Sequence, residues 1–410
     1  MVERKEYLEK LKMWRNEKII KVVTGIRRCG KSTLLEQYRN YLAKTGVPSE
    51  RIISVNFEDL SYENLLDYKK LYEYLSERIV SDKFTYIFLD EIQKVSGFEK
   101  VVDSLYIKDN VDIYLTGSNA YMLSGELATL LSGRYVEIKM LPLSFGEYKQ
   151  LQAADRNADE LFAEYMSIGG FPYIAAMNRT KEKTDMYLEG IYSTIIIKDI
   201  EERQNRREPD LTKRKINDIS LLKNIGKFLA GSVGSLISVK SVSDYITSTG
   251  RKVSPNTISD YIGALTEAFI FYPVERFDIQ GKRLLQQNRK YYIADTGLRR
   301  YMLPRRNYDL GFTLENVVYL EQCRRGFEVY VGKNGTTEVD FVVRKNDITE
   351  YYQVTASLTD ETTFEREIAP LRNIRDNYPK TILTLDRFTL GNYDGIKVEN
   401  AVDWLLDCSR

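Results

Sequence analysis

The chain contains no histidine. That excludes a Ser-His-Asp or Cys-His relay and any metal site built on imidazole. Chemistry must come from carboxylates, lysine, arginine, hydroxyls and a hard cation such as Mg²⁺, which prefers oxygen ligands. Cysteine is scarce: Cys29, Cys323 and Cys408 are far apart and form no C-x-x-C pair, so neither a zinc knuckle nor a disulfide framework is indicated. No apolar run approaches the roughly 20 residues that cross a bilayer. The opening MVERKEYLEKLKMW is charged where a secretory leader would be apolar. These absences lead to the expectation of a cytoplasmic protein with no membrane contact. A global charge excess is also missing: 60 basic residues face 59 acidic ones. Net charge therefore argues neither for nor against a nucleic-acid partner. With 410 residues, 43% hydrophobic and 29% charged, the chain has room for two to four globular domains.

What is present centres on residues 19–33, IIKVVTGIRRCGKST. A β-branched run ends in a glycine loop that fits G-x-x-x-x-G-K-[ST], and a helical pattern follows from Thr33. Gly25 and Gly30 permit backbone geometry and close approach that side chains would block. The N–H groups of Gly25, Ile26, Arg27, Arg28, Cys29, Gly30, Lys31, Ser32 and Thr33 are then available to cradle phosphate oxygens, with the helix dipole behind them. Lys31 would meet the β- and γ-phosphates of ATP, and Ser32 would ligate Mg²⁺. A second strand, YIFLDE at 86–91, ends in Asp90 and Glu91. Ligands of open α/β sheets bind at such carboxyl ends. Asp90 would hold Mg²⁺ through water, and Glu91 would polarise the attacking water.

Other strands are expected at 51–59 and 111–119, and helices at 3–16, 64–82 and near 98–109. The strand at 111–119 ends in Thr116-Gly117-Ser118-Asn119. Asn119 is the first candidate there to sense the γ-phosphate and orient water, and Ser118 the second. Arg134 lies between a short helix and the strand YVEIKM. It is placed to reach a phosphate of its own chain or of a neighbouring subunit, or else to form a structural salt bridge.

GIRRCGKST, LDEIQ, LTGSN, GRYVEI, PLSFGEY and GGFP (169–172) together resemble a prokaryotic group of predicted AAA-type ATPases. That group carries a C-terminal domain of unknown function with a restriction-endonuclease-like core. The resemblance covers nearly the whole chain. It implies ATP and Mg²⁺ binding, with Lys31, Ser32, Asp90 and Glu91 in the roles above. It supplies no biological task, and an oligomer is possible.

The fold expected is α/β: a P-loop AAA-type parallel sheet over 1–150, a helical lid over 151–205, a winged helix over 215–300, and an α/β restriction-endonuclease-like domain over 305–410. The lid shows no unambiguous phosphate-sensing arginine. The charged stretch 201–215 reads as a linker. Within 220–295, three helical patterns precede two strands around a turn at Gln280–Gly281. Ser241 or Ser243 is able to cap the second helix. Ser254 and Pro255 open the third. A third helix of this kind can enter a DNA major groove. Ser254, Asn256, Thr257 and Asp260 would then face bases, and Lys282, Arg283, Arg289 and Lys290 phosphates. From Arg276 to Arg306 there are nine Lys or Arg against two Asp, a candidate electrostatic footprint for double-stranded DNA. Solvated surface or an inter-domain interface is the competing reading.

The last stretch resembles the restriction-endonuclease-like fold: Glu315 on a helix, Asp340 on a strand beside Glu338, and Gln353 where (D/E)-x-K is usual. Threonine follows where that motif has its lysine, and the strand offers no other. The expectation is a degenerate nuclease site on a fold retained for binding. Three functions are therefore carried forward. The first is an ATP-driven switch acting on DNA or a protein. The second is an ATP-gated metal-dependent nuclease. The third is a nucleotide-binding protein scaffold with little hydrolysis.

Overall fold

A computed structural model describes residues 2–118, 133–196, 200, 216, 218–303 and 310–407, apart from the side chains of 286 and 287. The chain divides into two compact units, residues 1–142 with a short piece at 267–269, and the remainder.

The first unit is built on five parallel strands: β1 (Ile20–Thr24), β2 (Ile52–Asn56), β3 (Thr85–Asp90), β4 (Val111–Gly117) and β5 (Tyr135–Lys139). They lie in the order β2-β3-β4-β1-β5. The order reverses at β1, so a crevice opens beyond its carboxyl end, where ligands of such sheets bind. Strands β1 and β3 are buried along their whole length, which is why they read as largely apolar runs, interrupted in β1 by Lys21. Helices α1 (Lys5–Met13), α2 (Lys31–Lys44), α3 (Tyr68–Ser76) and α4 (Phe98–Tyr106) cover the sheet. On one face Leu71, Leu75, Val101, Val102 and Leu105 join Val22, Ile87, Leu89 and Leu115 in one core. The helix expected over 64–82 is shorter, because Asp67 caps α3 after a 3-10 stretch at Leu60–Leu66. A fully buried ion pair joins β1 to β4: Lys21 Nζ lies 2.5 Å from Asp112 Oδ1. Tyr114 and the Asn16 amide donate to the other carboxylate oxygen, so little of the buried charge is left unsatisfied.

The second unit begins with helices α5 (Phe145–Gln150), α6 (Ala158–Ile168), α7 (Pro172–Ala176) and α8 (Lys181–Thr194). Ser144 and Glu147 of PLSFGEY form a reciprocal capping box on α5. Gly169 and Gly170 are explained by their neighbour. The Gly170 amide donates to the buried Asp295 carboxylate at 2.6 Å. A Cβ on Gly169, whose φ is +82°, would sit 2.1 Å from Asp295 Oδ1.

Three more helices follow, α9 (Ile219–Gly231), α10 (Val239–Ser248) and α11 (Pro255–Glu267), then the antiparallel hairpin β6 (Phe271–Asp278) and β7 (Arg283–Ile293). The turn falls at Gln280–Gly281, and Ser254 accepts from the Thr257 amide, both as expected. The cap of α10 differs: Ser238 caps it, and Ser241 is the partner three residues on. Ile237 pairs with Arg289 of β7 through two backbone bonds.

The boundary expected near 300–305 is not found. After α12 (Thr296–Met302) and α13 (Leu310–Arg324) come β8 (Glu328–Asn334), β9 (Thr337–Lys345), β10 (Ile348–Thr355), α14 (Glu361–Arg372), β11 (Lys380–Thr384), β12 (Gly391–Tyr393), β13 (Ile396–Asn400) and α15 (Ala401–Leu406). These strands and the hairpin form a single eight-stranded sheet, β12-β13-β11-β10-β9-β8-β6-β7, because β6 pairs in parallel with β8. The helices expected as a lid also belong to this unit. The expected linker at 201–215 lies outside the described residues.

Candidate active site

The loop between β1 and α2 turns on Gly25, with φ +148°, where a Cβ would approach the Met140 carbonyl to 2.1 Å. Arg28 and Gly30 also take positive φ. Helix α2 starts at Lys31 with no side-chain cap, which leaves its first-turn amides for an anion. Lys31 is 4% exposed. Its ammonium donates to the loop's own carbonyls, Gly25 O at 3.0 Å and Ile26 O at 3.4 Å, and lies 3.8 Å from Glu91 Oε1. The thiol of Cys29 is buried and its pKa is pushed up by that burial, so it stays neutral.

Asp90 and Glu91 stand at the carboxyl end of β3, both buried. Thr116 of β4 donates to Asp90 Oδ1 and accepts from the Glu91 amide at 2.9 Å. Ser32 lines the same cleft as Asp90, and its hydroxyl tempers the carboxylate's pKa. Burial nevertheless raises the pKa of Asp90, helped by the adjacent Glu91 charge. Burial would raise Glu91 as well, but Lys31, Gln93, Arg27 and Ser118 more than reverse it and hold that pKa low. Glu91 takes φ 55°, a strained value for a side-chain-bearing residue. A polar cleft of about 330 Å³, lined by Ser32, Thr33, Glu36, Arg39, Asn56, Tyr62 and Asp90 among others, adjoins these groups.

The loop set from Gly25 to Thr33 and the pair Asp90 and Glu91 are thus brought to one place. Ser118 is there too, 3.1 Å from Glu91 Oε2. Asn119, the preferred sensor, lies outside the described residues. Arg134 is elsewhere. Its carbonyl accepts from Ile20, at the amino end of β1. Its guanidinium pairs with Asp103 and stacks over Tyr106. Five residues of strand separate that end from the loop, roughly 16 Å. In its own chain Arg134 is the structural salt bridge, which removes the same-chain phosphate contact; a contact with a neighbouring subunit's phosphate stays a proposal. Strand direction decides it: Arg134 precedes β5, so in a parallel sheet it lies at the amino end, opposite the loop after β1.

In the second unit Glu315, Asp340 and Gln353 also converge. The Asp340 amide donates to Gln353 Oε1 at 3.3 Å, and the Val354 amide to Asp340 Oδ2 at 2.9 Å. The lysine missing from β10 arrives from β7. Lys290, 2% exposed, places Nζ 2.9 Å from Glu315, 2.8 Å from Glu338 and 3.6 Å from Asp340. Tyr292 donates to Glu315 at 2.5 Å. Burial and the Glu315 charge push the Asp340 pKa up to about 8. Burial lowers the Lys290 pKa, but the charges of Glu315, Asp340 and Glu338 more than restore it.

This corrects the basic footprint. Lys290 is inside the protein, not facing phosphate. Arg289 pairs with Glu275 and Arg300 with Asp185. Arg299 is buried against the Ala230 carbonyl and Thr313. Lys282 and Arg283 stay exposed at the hairpin tip, and Asn256 on α11 is exposed with Thr257 half-buried beside it. Arg305 and Arg306 lie outside the described residues. Charge counting could not separate interior arginines from surface ones.

Residues 17–149 match an AAA domain, and residues 159–309 match a domain of unknown function, DUF8612. The chain is 40% identical over 410 residues to an uncharacterized protein of Haemophilus influenzae, covering 99% of both. It is 32% identical over 367 residues to the uncharacterized protein MJ1544 of Methanocaldococcus jannaschii, covering 85% of this chain and 77% of that one. The chain belongs to the family of these two proteins. Among solved structures, the Walker-type ATPase PABY2304 of Pyrococcus abyssi aligns at 16% identity and TM-score 0.49, over 74% of this chain and 96% of that one.

In the first unit, which holds the AAA-domain match, two supporting residues carry no motif signal. Arg4, buried just before α1, donates to the Cys29 carbonyl at 3.1 Å and to Leu141 O at 2.8 Å, tying the phosphate loop to the end of β5. Gln93, two residues past Glu91, donates to Glu91 Oε2 at 2.5 Å. The LDEIQ run contains Gln93, but its spacing assigns it no role. Among the described residues no helix is long and apolar enough to cross a membrane.

Proposed function

We propose that the first unit binds ATP with Mg²⁺ and hydrolyses it, and that the nucleotide state switches how the second unit holds a partner. One observation carries this reading. The Lys31 ammonium rests on two loop carbonyls beside Glu91, a position it can leave for phosphate oxygens. The donor set fits a magnesium nucleotide. Loop amides and the open first turn of α2 suit phosphates, and the Ser32 hydroxyl and Asp90 carboxylate, on the wall of one cleft, are oxygen donors suited to Mg²⁺. Ser32 and Asp90 would hold the ion, which would supply positive charge to the β- and γ-phosphates. Lys31 would draw charge from the same oxygens. Glu91, ionised because its pKa is held low, would take the proton of the attacking water.

In the second unit the three helices, the β6–β7 hairpin and the bridge from Ile237 to Arg289 support a winged-helix reading. The Glu315–Asp340–Gln353 convergence supports a restriction-endonuclease-like core. Lys290 stands among its carboxylates, which favours a binding role over phosphodiester cleavage. The partner is DNA, met through Asn256, Thr257, Lys282 and Arg283, or a protein. Protein is better supported, since four of the seven described cations of the basic segment, Arg289, Lys290, Arg299 and Arg300, are already engaged inside the chain.

ATP calorimetry and turnover, with Lys31→Ala and Glu91→Gln, test the reading. Turnover equal in wild type and both variants sinks it. Turnover near zero with tight nucleotide binding favours the scaffold. DNA affinity falling steeply with salt would restore the nucleic-acid partner. Mg²⁺- or Mn²⁺-dependent cleavage that disappears in Asp340→Ala would establish the gated nuclease instead.

A further inference from the structure

Glu91 is held from one side. Its Oε2 accepts from Gln93 Nε2 at 2.5 Å and from Ser118 Oγ at 3.1 Å, and Gln93 Nε2 also lies 3.4 Å from Ser118 Oγ. Oε1 faces Lys31 at 3.8 Å. The backbone of Glu91 is fixed by its amide on Thr116. The Gln93 amide cannot be turned round, because its carbonyl would then meet a carboxylate oxygen. With the NH₂ end committed to Glu91, the other end has a defined place. That atom, Gln93 Oε1, is buried and has no hydrogen-bond partner among the described residues. A buried acceptor left unpaired is costly, and native proteins rarely keep one without use. The two ends of an amide are roughly 2.3 Å apart by covalent geometry. Gln93 Oε1 is therefore within roughly 5 Å of Glu91 Oε2, near enough for one water to touch both side chains.

We infer that Gln93 is a third catalytic residue of the hydrolytic site: Nε2 aims the Glu91 carboxylate, and Oε1 accepts a hydrogen bond from the attacking water. The inference rests on the ATPase reading above. In the step, the water oxygen forms a bond to the γ-phosphorus as the bond to the β-phosphate oxygen breaks. Glu91 receives one water proton, and the other stays directed at Gln93 Oε1. ADP leaves with the electron pair of the broken bond. Gln93 neither gains nor loses a proton. Ser118 is the positioning residue behind both.

The test uses the full chain with Mg-ATP. Steady-state turnover across pH, and nucleotide affinity by calorimetry, are measured for wild type, Gln93→Ala, Gln93→Glu and Glu91→Gln. Gln93→Ala is expected to lower kcat on the order of 10- to 100-fold, as for a misplaced reacting group, while ATP affinity stays within about twofold. Gln93→Glu keeps the shape but puts a carboxylate beside Glu91, so the acid limb of its kcat profile moves up by about one pH unit. That pH shift reads the contact between position 93 and Glu91, the loss of kcat at unchanged affinity reads the catalytic role, and the shift serves if Gln93→Ala does not fold. Turnover of Gln93→Ala at or above the wild-type rate, with Glu91→Gln inactive, overturns the inference alone, as does an unmoved profile in Gln93→Glu. Wild-type turnover in Glu91→Gln instead removes the ATPase reading itself.

Discussion

Lys31 and Lys290 are both buried lysines among acidic side chains, yet their surroundings differ in kind. Lys31 bonds two backbone carbonyls and stands 3.8 Å from one carboxylate, whose pKa is held low. Lys290 touches Glu315 and Glu338 below 3 Å with Asp340 just beyond, and Asp340 is pushed up to about 8. The first arrangement has donors to spare. Gln93, Ser118, Arg27 and Lys31 all serve Glu91. The second is short of cations, with one ammonium shared by three acids. A lysine resting on carbonyls can exchange them for phosphate oxygens. A lysine enclosed by carboxylates can leave only by exposing buried anions. The ratio of donors to acids, more than burial, separates a receptive site from a closed one.

The largest expected effect falls on the receptive side. Lys31→Ala should lower ATP turnover by at least about 100-fold while leaving the melting temperature within a few degrees. A large loss of stability there would make the two lysines alike and break the contrast. Next comes Lys290→Met, expected to destabilise the second unit by roughly 3–5 kcal/mol in urea unfolding, since it removes one partner of a buried ion cluster. An unchanged midpoint would mean the carboxylates are already neutral. Gly169→Ala should cost roughly 1–3 kcal/mol by forcing positive φ on a side chain that also strikes the Asp295 carboxylate. It should leave nucleotide affinity untouched.

The same contrast can be read without a mutation, as a pH slope. Burial pushes the Asp340 pKa up to about 8, with the Glu315 charge, and that of Asp295 up to about 6, against about 4 unfolded. Between pH 4 and those values the folded state keeps protons that the unfolded state has released. The stabilisation is therefore present in full near pH 4 and lost as pH rises through 6 and then 8. Thermal melts from pH 5 to pH 9 should show midpoints falling with pH, and Asp340→Asn should flatten the upper part of that fall. A rising midpoint would mean that Lys290 keeps Asp340 ionised throughout.

Much of the first unit was legible in the sequence because its signals are local. The buried strands β1 and β3 announce themselves as apolar runs, and Gly25 and Gly30 fit a turn that must bend sharply under phosphate. The same reasoning located Glu315, Asp340 and Gln353. It missed Lys290, because the missing charge enters from a different strand, upstream of all three. Nothing in the spacing RKYYIAD marks a lysine as interior. The place of Arg134 was legible but not used: it precedes its strand, so a parallel sheet puts it at the amino end beside Ile20, away from the loop of its own chain. Arg299 and Lys290 were counted as surface charge because a composition window carries no information about depth.

The parallel pairing of β6 with β8 has a practical meaning for anyone dividing this gene. A fragment stopped at residue 309, where the DUF8612 match ends, would carry Lys290 without Glu315, Glu338 or Asp340, and β6 without its neighbour β8. Such a piece would present an unpaired strand edge and a stranded ammonium to solvent, an invitation to stick to itself. Expression from residue 143 onward as one uninterrupted polypeptide keeps the sheet whole.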